Sequence, residues 1–275
     1  MQKITFSVVL YKNKASDLNT LLSSINNCCY FKNNVKLYII DNSPTDDLKT
    51  LCPDDRTEYI HNPSNPGFGA AHNIAIKKAF EIPSKYHFIV NPDILFERNV
   101  IETMVNAMDK DAGIGMMMPQ VLNLDGSIQN LPKLLPTPFN IVLRKFKKPK
   151  AIYNQFINRY ELRSVPNDKI YNAPILSGCF TLLNLEALRM VGIYDDKFFM
   201  YFEDWDLSRR MHQHYKTLYY PKVSVYHGYD SGANKNFKLF KIFIKSAIYY
   251  FNKWGWFFDI ERRKVNKAVL DQFNA

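Results

Sequence analysis

Residues 85–96 read KYHFIVNPDILF, a short apolar run that stops at a turn carrying one carboxylate. His87, Phe88, Ile89 and Val90 have the character of a buried strand, and Pro92 cannot continue a central strand because it lacks an amide hydrogen. The chain therefore leaves the sheet at Asn91. In an open α/β sheet the carboxyl ends of the strands face the ligand crevice, which puts Asp93 at the mouth of a site as a metal or phosphate-side group. Asn-Pro-Asp is also ordinary turn chemistry, so the neighbouring segments have to decide.

Working outward, residues 4–11, ITFSVVLY, form a first buried strand, and Leu18, Leu21, Leu22 and Ile25 recur at helical spacing behind Asp17, a candidate cap. Residues 35–40, VKLYII, run into Asp41-Asn42-Ser43-Pro44, and 59–61 make a brief third strand. Strand, helix and strand, each strand ending in a polar turn, predict a parallel sheet whose turns open on one edge. Pro66-Gly67-Phe68-Gly69 then precedes a helix starting near Ala70, whose N-terminal amides suit a diphosphate. The loop is not GxGxxG and lacks a Walker lysine and a downstream ribose acid, which argues against a dinucleotide site.

After Asp93 the pattern predicts a helix over 99–108, a strand near 113–118 and a hairpin-type turn at 123–126. Residues 131–149 hold four prolines and lead into the basic cluster Arg144, Lys145, Lys147, Lys148 and Lys150, which reads as a mobile connection or lid. Residues 175–183, ILSGCFTLL, are strand-like, with Ser177-Gly178 breaking the run where a ligand or a backbone approaches. A short helix over 185–190 follows.

The 275 residues allow one large α/β domain or a domain with an appendage, and 47% hydrophobic content describes a folded protein. Net charge is +10 at a pI near 9.2, which suits nucleic acid, an anionic membrane surface or phosphorylated substrates. Cys28, Cys29, Cys52 and Cys179 make neither a CxxC pair nor a disulfide framework and read as reduced core thiols. The N-terminus has no signal-peptide pattern, and no run of ~18 apolar residues occurs, so the expected location is cytoplasmic.

Residues 198–210, FFMYFEDWDLSRR, set Glu203, Asp204 and Asp206 among aromatic residues at a helix start. One acid at such an end is explained by the helix dipole; three within four residues exceed that need. Aromatic desolvation against a nearby cation is how a general base is tuned.

In order, VVLYKN, IIDNSP, NPGFGAAHN, NPD, SGCF, FFMYFEDWDLSRR and VYH resemble the inverting family 2 glycosyltransferases of the GT-A fold, particularly the bacterial rhamnosyltransferase-like branch, over residues 4–228. The resemblance implies an α/β fold with a Rossmann-like nucleotide-binding half at 1–125, an acceptor-binding half at 126–233, and a mixed central sheet flanked by helices. It implies that Asp41 and Tyr11 line a nucleotide pocket, that Asn65, Gly67, Phe68 and Asn73 pass the nucleotide and diphosphate, and that Asp93 and His227 hold Mg2+ or Mn2+. Asn91 replaces the first acid of the usual Asp-x-Asp, leaving one fewer charged ligand. Asp204 matches the catalytic base, with Glu203 orienting it or the acceptor, and Gly178, Trp205 and Asp206 on the acceptor side. Arg209 and Arg210 would balance the acidic cluster. The implied donor is dTDP-L-rhamnose, or alternatively a UDP-hexose, and the implied acceptor a polyprenyl-diphosphate-linked saccharide of surface polysaccharide (O-antigen or capsule) synthesis.

Residues 234–275 read as a C-terminal amphipathic helical appendage. Lys238, Lys241 and Lys245 share one face, and Phe240, Phe243, Ile244, Ala247, Ile248 and Phe251 another, before Trp254, Trp256, Phe257 and Phe258. This describes a helix in the interface of an anionic membrane, peripheral on its inner face; packing on the domain and homo-oligomer formation are the other readings. Two further classes stay open. A nucleic-acid-binding protein would use the basic aromatic surface, but the crevice is acidic, so no nucleic acid is expected. An inactive, membrane-recruited scaffold would explain Asn91.

Overall fold

A computed structural model describes residues 3–28, 34–52, 55–228 and 237–274. Cys29, the part of VYHGYDSG after Gly228, and the start of the 234–275 segment lie outside them.

Strands β1 (Lys3–Leu10), β2 (Val35–Asp41) and β3 (Thr57–His61) pair in parallel in the order β3-β2-β1, and β4 (Ser84–Val90) joins β1 on its other side, also parallel. Helices α1 (Ala15–Asn27) and α2 (Phe68–Phe80) are the crossovers. Beyond β4 the sheet is mixed. β8 (Phe180–Asn184) runs antiparallel to β4, β6 (Ile114–Leu122) antiparallel to β8, and β9 (Lys216–His227) parallel to β6. A short β5 (Ile94–Phe96) closes the far edge on β9, which β7 (Tyr171–Asn172) also pairs. One nine-stranded sheet thus runs through both predicted halves among the described residues.

Helices α3 (Val100–Asp109), α6 (Leu185–Val191) and α7 (Glu203–His212) cover the sheet. Val100, Ile101, Met104, Val105 and Met108 make the buried stripe of α3, as the periodicity requires. β1 is buried on both faces, so its polar Thr5 and Ser7 need internal partners. Ser7 Oγ lies 2.7 Å from His72 Nδ1 and 2.8 Å from His87 Nε2, and Thr5 Oγ1 lies 2.8 Å from His87 Nδ1. Burial pushes the His87 imidazole down to about 3, so it stays neutral, which is how a histidine sits inside an apolar strand.

The structure departs from the sequence reading at several places. Asp17 lies in the first turn of α1 while Lys14 occupies the cap position, so it is not the cap. The 131–149 segment is not a lid. Leu134 and Leu135 are buried and lead into α4 (Pro138–Phe146) and α5 (Lys150–Tyr160). Thr137 caps α4: its hydroxyl accepts from the Asn140 N–H at 3.1 Å, and Asn140 Oδ1 accepts from the Thr137 N–H at 2.7 Å.

The C-terminal segment holds two helices, α8 (Phe237–Trp254) and α9 (Ile260–Asp271), packed on the rest of the chain. The expected apolar face of α8 is divided. Ala247 and Phe251, with Tyr250, pack on Ile141, Phe198 and Phe202, whereas Ile244 and Ile248 point outward. Cys28 and Cys179 are buried and Cys52 is half-buried.

Candidate active site

The parallel strands deliver their carboxyl ends to one edge. Leu10 registers with Asp41, so the turns after β1 and β2 lie side by side there. The Lys12 N–H donates to Ser43 Oγ at 2.8 Å across them, and Tyr11, about half exposed, lies at the rim. Asp41 is buried; Oδ1 accepts from the Ser43 N–H at 2.8 Å and Oδ2 accepts from the Tyr59 hydroxyl. The carboxylate is thereby fixed in orientation, and burial together with that hydrogen bond pushes the Tyr59 phenol far up. Sequence reading missed Tyr59, whose only signal is its place in β3 beside β2.

The Asn65–Phe68 loop is held in place mainly by protein contacts. Asn65 has φ +45° and Gly67 φ +105°, and a Cβ on Gly67 would stand 2.1 Å from the Phe199 carbonyl oxygen. Glycine is required there by the Phe199 backbone rather than by a ligand. The Phe68 N–H donates to that same carbonyl at 2.8 Å, so this first amide of α2 is already used. The Phe68 ring packs edge-on to His72 and reaches the Gly178 backbone. Asn73 works differently from expectation. Its Nδ2 donates to the Tyr194 carbonyl at 2.9 Å and to Asp196 Oδ1 at 2.6 Å, and its Oδ1 accepts from the Tyr194 N–H at 3.0 Å. Both amide hydrogens are spent tying α2 to the 194–196 turn, which leaves none for a nucleotide.

Asp93 and His227 meet across β5 and β9, where Ile94 registers with His227. Asp93 Oδ1 lies 3.4 Å from His227 Nε2. Gln129 sets the imidazole: its Nε2 donates to the His227 carbonyl at 3.0 Å and to Asn123 Oδ1 at 2.8 Å, so its Oε1, 3.1 Å from Nδ1, is an acceptor. Nδ1 therefore carries the proton, and the Nε2 lone pair is directed toward Asp93 and Asn91. Neighbouring ligands of an octahedral Mg2+ or Mn2+ at ~2.1 Å stand about 3 Å apart, so this oxygen and this nitrogen fit one ion. No group of three or more His, Cys, Asp or Glu side chains converges among the described residues, so phosphate oxygens and water would complete the sphere.

The acidic cluster opens α7 as predicted, on two residues in the left-handed region, Tyr201 at φ +70° and Phe202 at φ +66°. Such a conformation in bulky residues costs about 1–3 kcal/mol each, and Phe202 is held there by Trp205, Phe243 and Tyr250. Its effect is to aim the first turn of α7 at the break between Ile175 and β8. Asp204 Oδ2 accepts from the Gly178 N–H at 3.2 Å, and Oδ1 accepts from the Trp205 N–H at 2.9 Å. A Cβ on Gly178 would sit 3.4 Å from both Asp204 Cβ and the Phe68 ring, so Gly178 gives the Asp204 carboxylate a backbone donor at close range.

The three acids behave differently. Burial pushes the Asp204 carboxyl up to about 6, against the Gly178 N–H, the Lys133 charge and the Trp205 N–H, which pull it down. Glu203 is buried deeper, Oε2 has no hydrogen-bond partner among the described residues, and burial with the Asp204 charge holds it protonated well above the usual carboxylate range. Asp206 is fully buried and clamps α8: Oδ1 accepts from Trp254 Nε1 at 2.8 Å and pairs with Lys253 at 2.8 Å, while Oδ2 pairs with Arg210 at 2.9 Å. Its expected acceptor-side role is replaced by this clamp. Trp205 packs between Phe202 and Tyr250. Of the two arginines, Arg210 faces the cluster and Arg209 pairs instead with Asp259 and Glu261.

Asp93 and Asp204 flank one short segment. The Asn91 N–H donates to the Cys179 carbonyl at 2.8 Å, one residue from the Gly178 N–H that holds Asp204. Lys133 was missed by sequence reading. It is buried, its ammonium donates to the Leu131 carbonyl at 2.7 Å and the Asn130 carbonyl at 3.3 Å, and burial lowers it to about 8. Its signal was a lone charge in LPKLLP.

The half-parallel sheet and the sequence it carries both have counterparts among known proteins. Solved structures of similar fold include GalNAc-T7 with UDP, GalNAc and Mn2+ (TM-score 0.61, 17% identity, 84% of this chain and 44% of that one). Another is the mannosyltransferase PcManGT of Pyrobaculum calidifontis with GDP-Man and Mn2+ (TM-score 0.57, 14% identity, 99% and 75%). The fold is GT-A. In sequence the chain is 21% identical over 211 residues to the low-salt glycan biosynthesis hexosyltransferase Agl10 of Haloferax volcanii, covering 76% of this chain and 62% of that protein. It is 25% identical over 207 residues to the N-acetylglucosaminyl-diphospho-decaprenol L-rhamnosyltransferase of Mycobacterium tuberculosis, covering 70% and 66%. The chain thus spans just under two thirds of the length of these relatives. The family model for Glycosyl transferase family 2 matches residues 7–192, more than half of the sequence, and on that match the chain belongs to glycosyl transferase family 2.

Proposed function

We propose that the chain is an inverting glycosyltransferase that moves a sugar from a nucleotide diphosphate donor to a saccharide hydroxyl by single displacement, with Asp204 as base. The observation that carries this is the Asp204 carboxyl, pinned by the Gly178 and Trp205 amides and poised at about 6 by burial against three opposing contacts. Such a group is ionised at neutral pH yet basic enough to take a proton. Asp204 removes the acceptor hydroxyl proton as that oxygen bonds to the anomeric carbon from the face opposite the leaving group. The bond from the anomeric carbon to the diphosphate oxygen breaks, the electron pair leaves with the diphosphate, and the anomeric centre inverts.

Asp93 and His227 would hold Mg2+ or Mn2+, whose charge neutralises the departing diphosphate. Tyr11, Asp41, Asn65 and Phe68 line the donor side; Gly178 and Trp205 face the acceptor side. Glu203, buried next to Asp204 in sequence and held protonated by burial and the Asp204 charge, is not available to take the proton. The name of the mycobacterial relative supports L-rhamnose as the sugar and a polyprenyl-diphosphate-linked acceptor. That the rhamnose comes from dTDP-L-rhamnose and serves surface polysaccharide synthesis is part of the proposal, with a UDP-hexose as the alternative donor. No helix among the described residues is long and apolar enough to cross a membrane.

The test is transfer of labelled sugar from dTDP-L-rhamnose and a UDP-hexose panel to N-acetylglucosaminyl-diphospho-polyprenol, with the product's anomeric configuration read by NMR. Inverted product with wild-type protein, formed at least about a hundredfold more slowly by Asp204→Asn, supports the reading. A retained configuration, or near wild-type transfer by a folded Asp204→Asn, contradicts it.

A further inference from the structure

The net charge of the chain is concentrated in one place. α4, its link to α5, α5 and α8 carry ten Lys and Arg and no Asp or Glu, so the other 26 basic residues equal the 26 acidic ones and the excess of +10 lies in these helices. α4 and α8 run side by side. Lys145 stands 4.6 Å from the Phe240 ring near one end; at the other, Arg262 donates to the Pro136 and Phe257 carbonyls, both at 3.2 Å. Between these ends Ile141 packs into the cluster of Ala247, Tyr250 and Phe251.

The outward faces of the pair are apolar. On α4, Phe139 is 62% exposed and Phe146 67%, with Val142 between them at helical spacing. On α8, Ile244 and Ile248 face outward, and Phe258, just past its end, is 94% exposed. Lys147 and Lys148 follow α4 directly, and Lys241 and Lys245 flank the α8 stripe; all four are exposed. Of the ten cations, Arg144 pairs with Glu161 and Lys253 with Asp195 and Asp206. Exposed aromatic rings beside the exposed lysines, on helices that carry no carboxylate of their own, complement an anionic, partly apolar surface.

We propose that this α4–α8 face docks on an anionic lipid bilayer. It deepens the transferase reading by giving a lipid-linked acceptor its route to the site: the Trp254 and Lys253 side chains tie α8 to Asp206, two residues from the proposed base. Docking itself requires neither that donor nor turnover. A face specific for bilayers differs from a self-association surface in its dependence on lipid charge.

Co-sedimentation of the full chain with vesicles of phosphatidylcholine alone, or mixed equally with phosphatidylglycerol, tests it. The wild type should partition onto the mixed vesicles and not onto phosphatidylcholine at ~0.1 M salt. Lys147→Glu with Lys148→Glu should weaken partitioning by about tenfold or more. Phe139→Ser, Val142→Ser and Phe146→Ser together should abolish it, with circular dichroism and nucleotide binding unchanged, whereas Leu124→Ser, at an exposed turn after β6, should bind as wild type. Failure of the wild type to bind mixed vesicles, or equal binding by folded α4 variants, overturns the proposal. So does a dimer that the serine substitutions disperse while no vesicle binding is found. Nucleotide binding measured in the same samples reports separately on the transferase reading.

Discussion

At the scale of single residues, the site depends on what sets one carboxyl near neutrality. Asp204 must be ionised to act, so kcat/KM should fall with an acid limb near pH 6, its value set by burial against the Gly178, Lys133 and Trp205 contacts. Removing the positive charge with Lys133→Met should raise the Asp204 pKa and move that limb to higher pH, a shift that a merely structural lysine would not give. Asp204→Asn should cost about 10²–10⁴ in kcat. It should also stabilise the protein. A carboxyl raised in the folded state binds its proton more tightly there than when unfolded, so its contribution is full below about pH 4 and is lost as pH rises to about 6. Above that window the neutral amide of Asp204→Asn avoids the penalty, and the variant should be more stable by on the order of 1–2 kcal/mol in urea melts at pH 8, with the gain vanishing near pH 4. The wild type being the more stable at pH 8 would contradict the electrostatic account. From residue types alone, Asp93 and the 203–206 acids were legible as candidate chemistry, whereas His227 entered only through the family resemblance. The distinct duties of Glu203, Asp204 and Asp206 were not, because they follow from which neighbours α8 and Gly178 supply across the fold.

At the scale of elements, α7 is joined to α8 and to the start of α9 by charge as much as by apolar area. Arg209 lies between Asp259 and Glu261 with its guanidinium 4.2 Å from the Trp254 ring, and both Arg209 and Asp259 are almost fully buried. Arg209→Met removes the nearer of the two cations on Asp259, leaving Arg262 at 3.7 Å and the Arg262 N–H, and should cost about 3 kcal/mol in denaturant unfolding. Gly67→Ala is expected to be comparably disruptive, since it places a methyl against the Phe199 backbone at φ +105°. The apolar runs of β1, β2 and β4 were readable because these strands are buried along most of their length, and the helical spacing of α1 and α3 because each buries a stripe; α7 was read from its acidic start. The short β5 and β7 were not, since strands of three and two residues carry no period and exist only as partners of β9. Prolines in 131–149 suggested a loop, but Pro138 follows Thr137 as a first helical residue follows a cap, and that pairing was a signal for α4.

At the scale of the whole molecule, parallel strands bring Tyr11, Asp41 and Asp93 to one edge, and the antiparallel β8 brings Gly178 and with it Asp204 to the same edge. The Asp93–His227 pair then stands opposite the base across the Gly178–Cys179 segment. This juxtaposition is the central claim, and a calorimetric titration of dTDP and UDP into the protein, with and without Mn2+, reads it most directly. The account predicts metal-dependent binding of one of them, with unfolding stability raised by roughly 2.7 kcal/mol at a hundredfold excess over Kd. His227→Ala should remove the metal-dependent part while a folded protein remains. No nucleotide binding by folded wild type, or Mn2+-enhanced binding that survives both His227→Ala and Asp93→Asn, would contradict it.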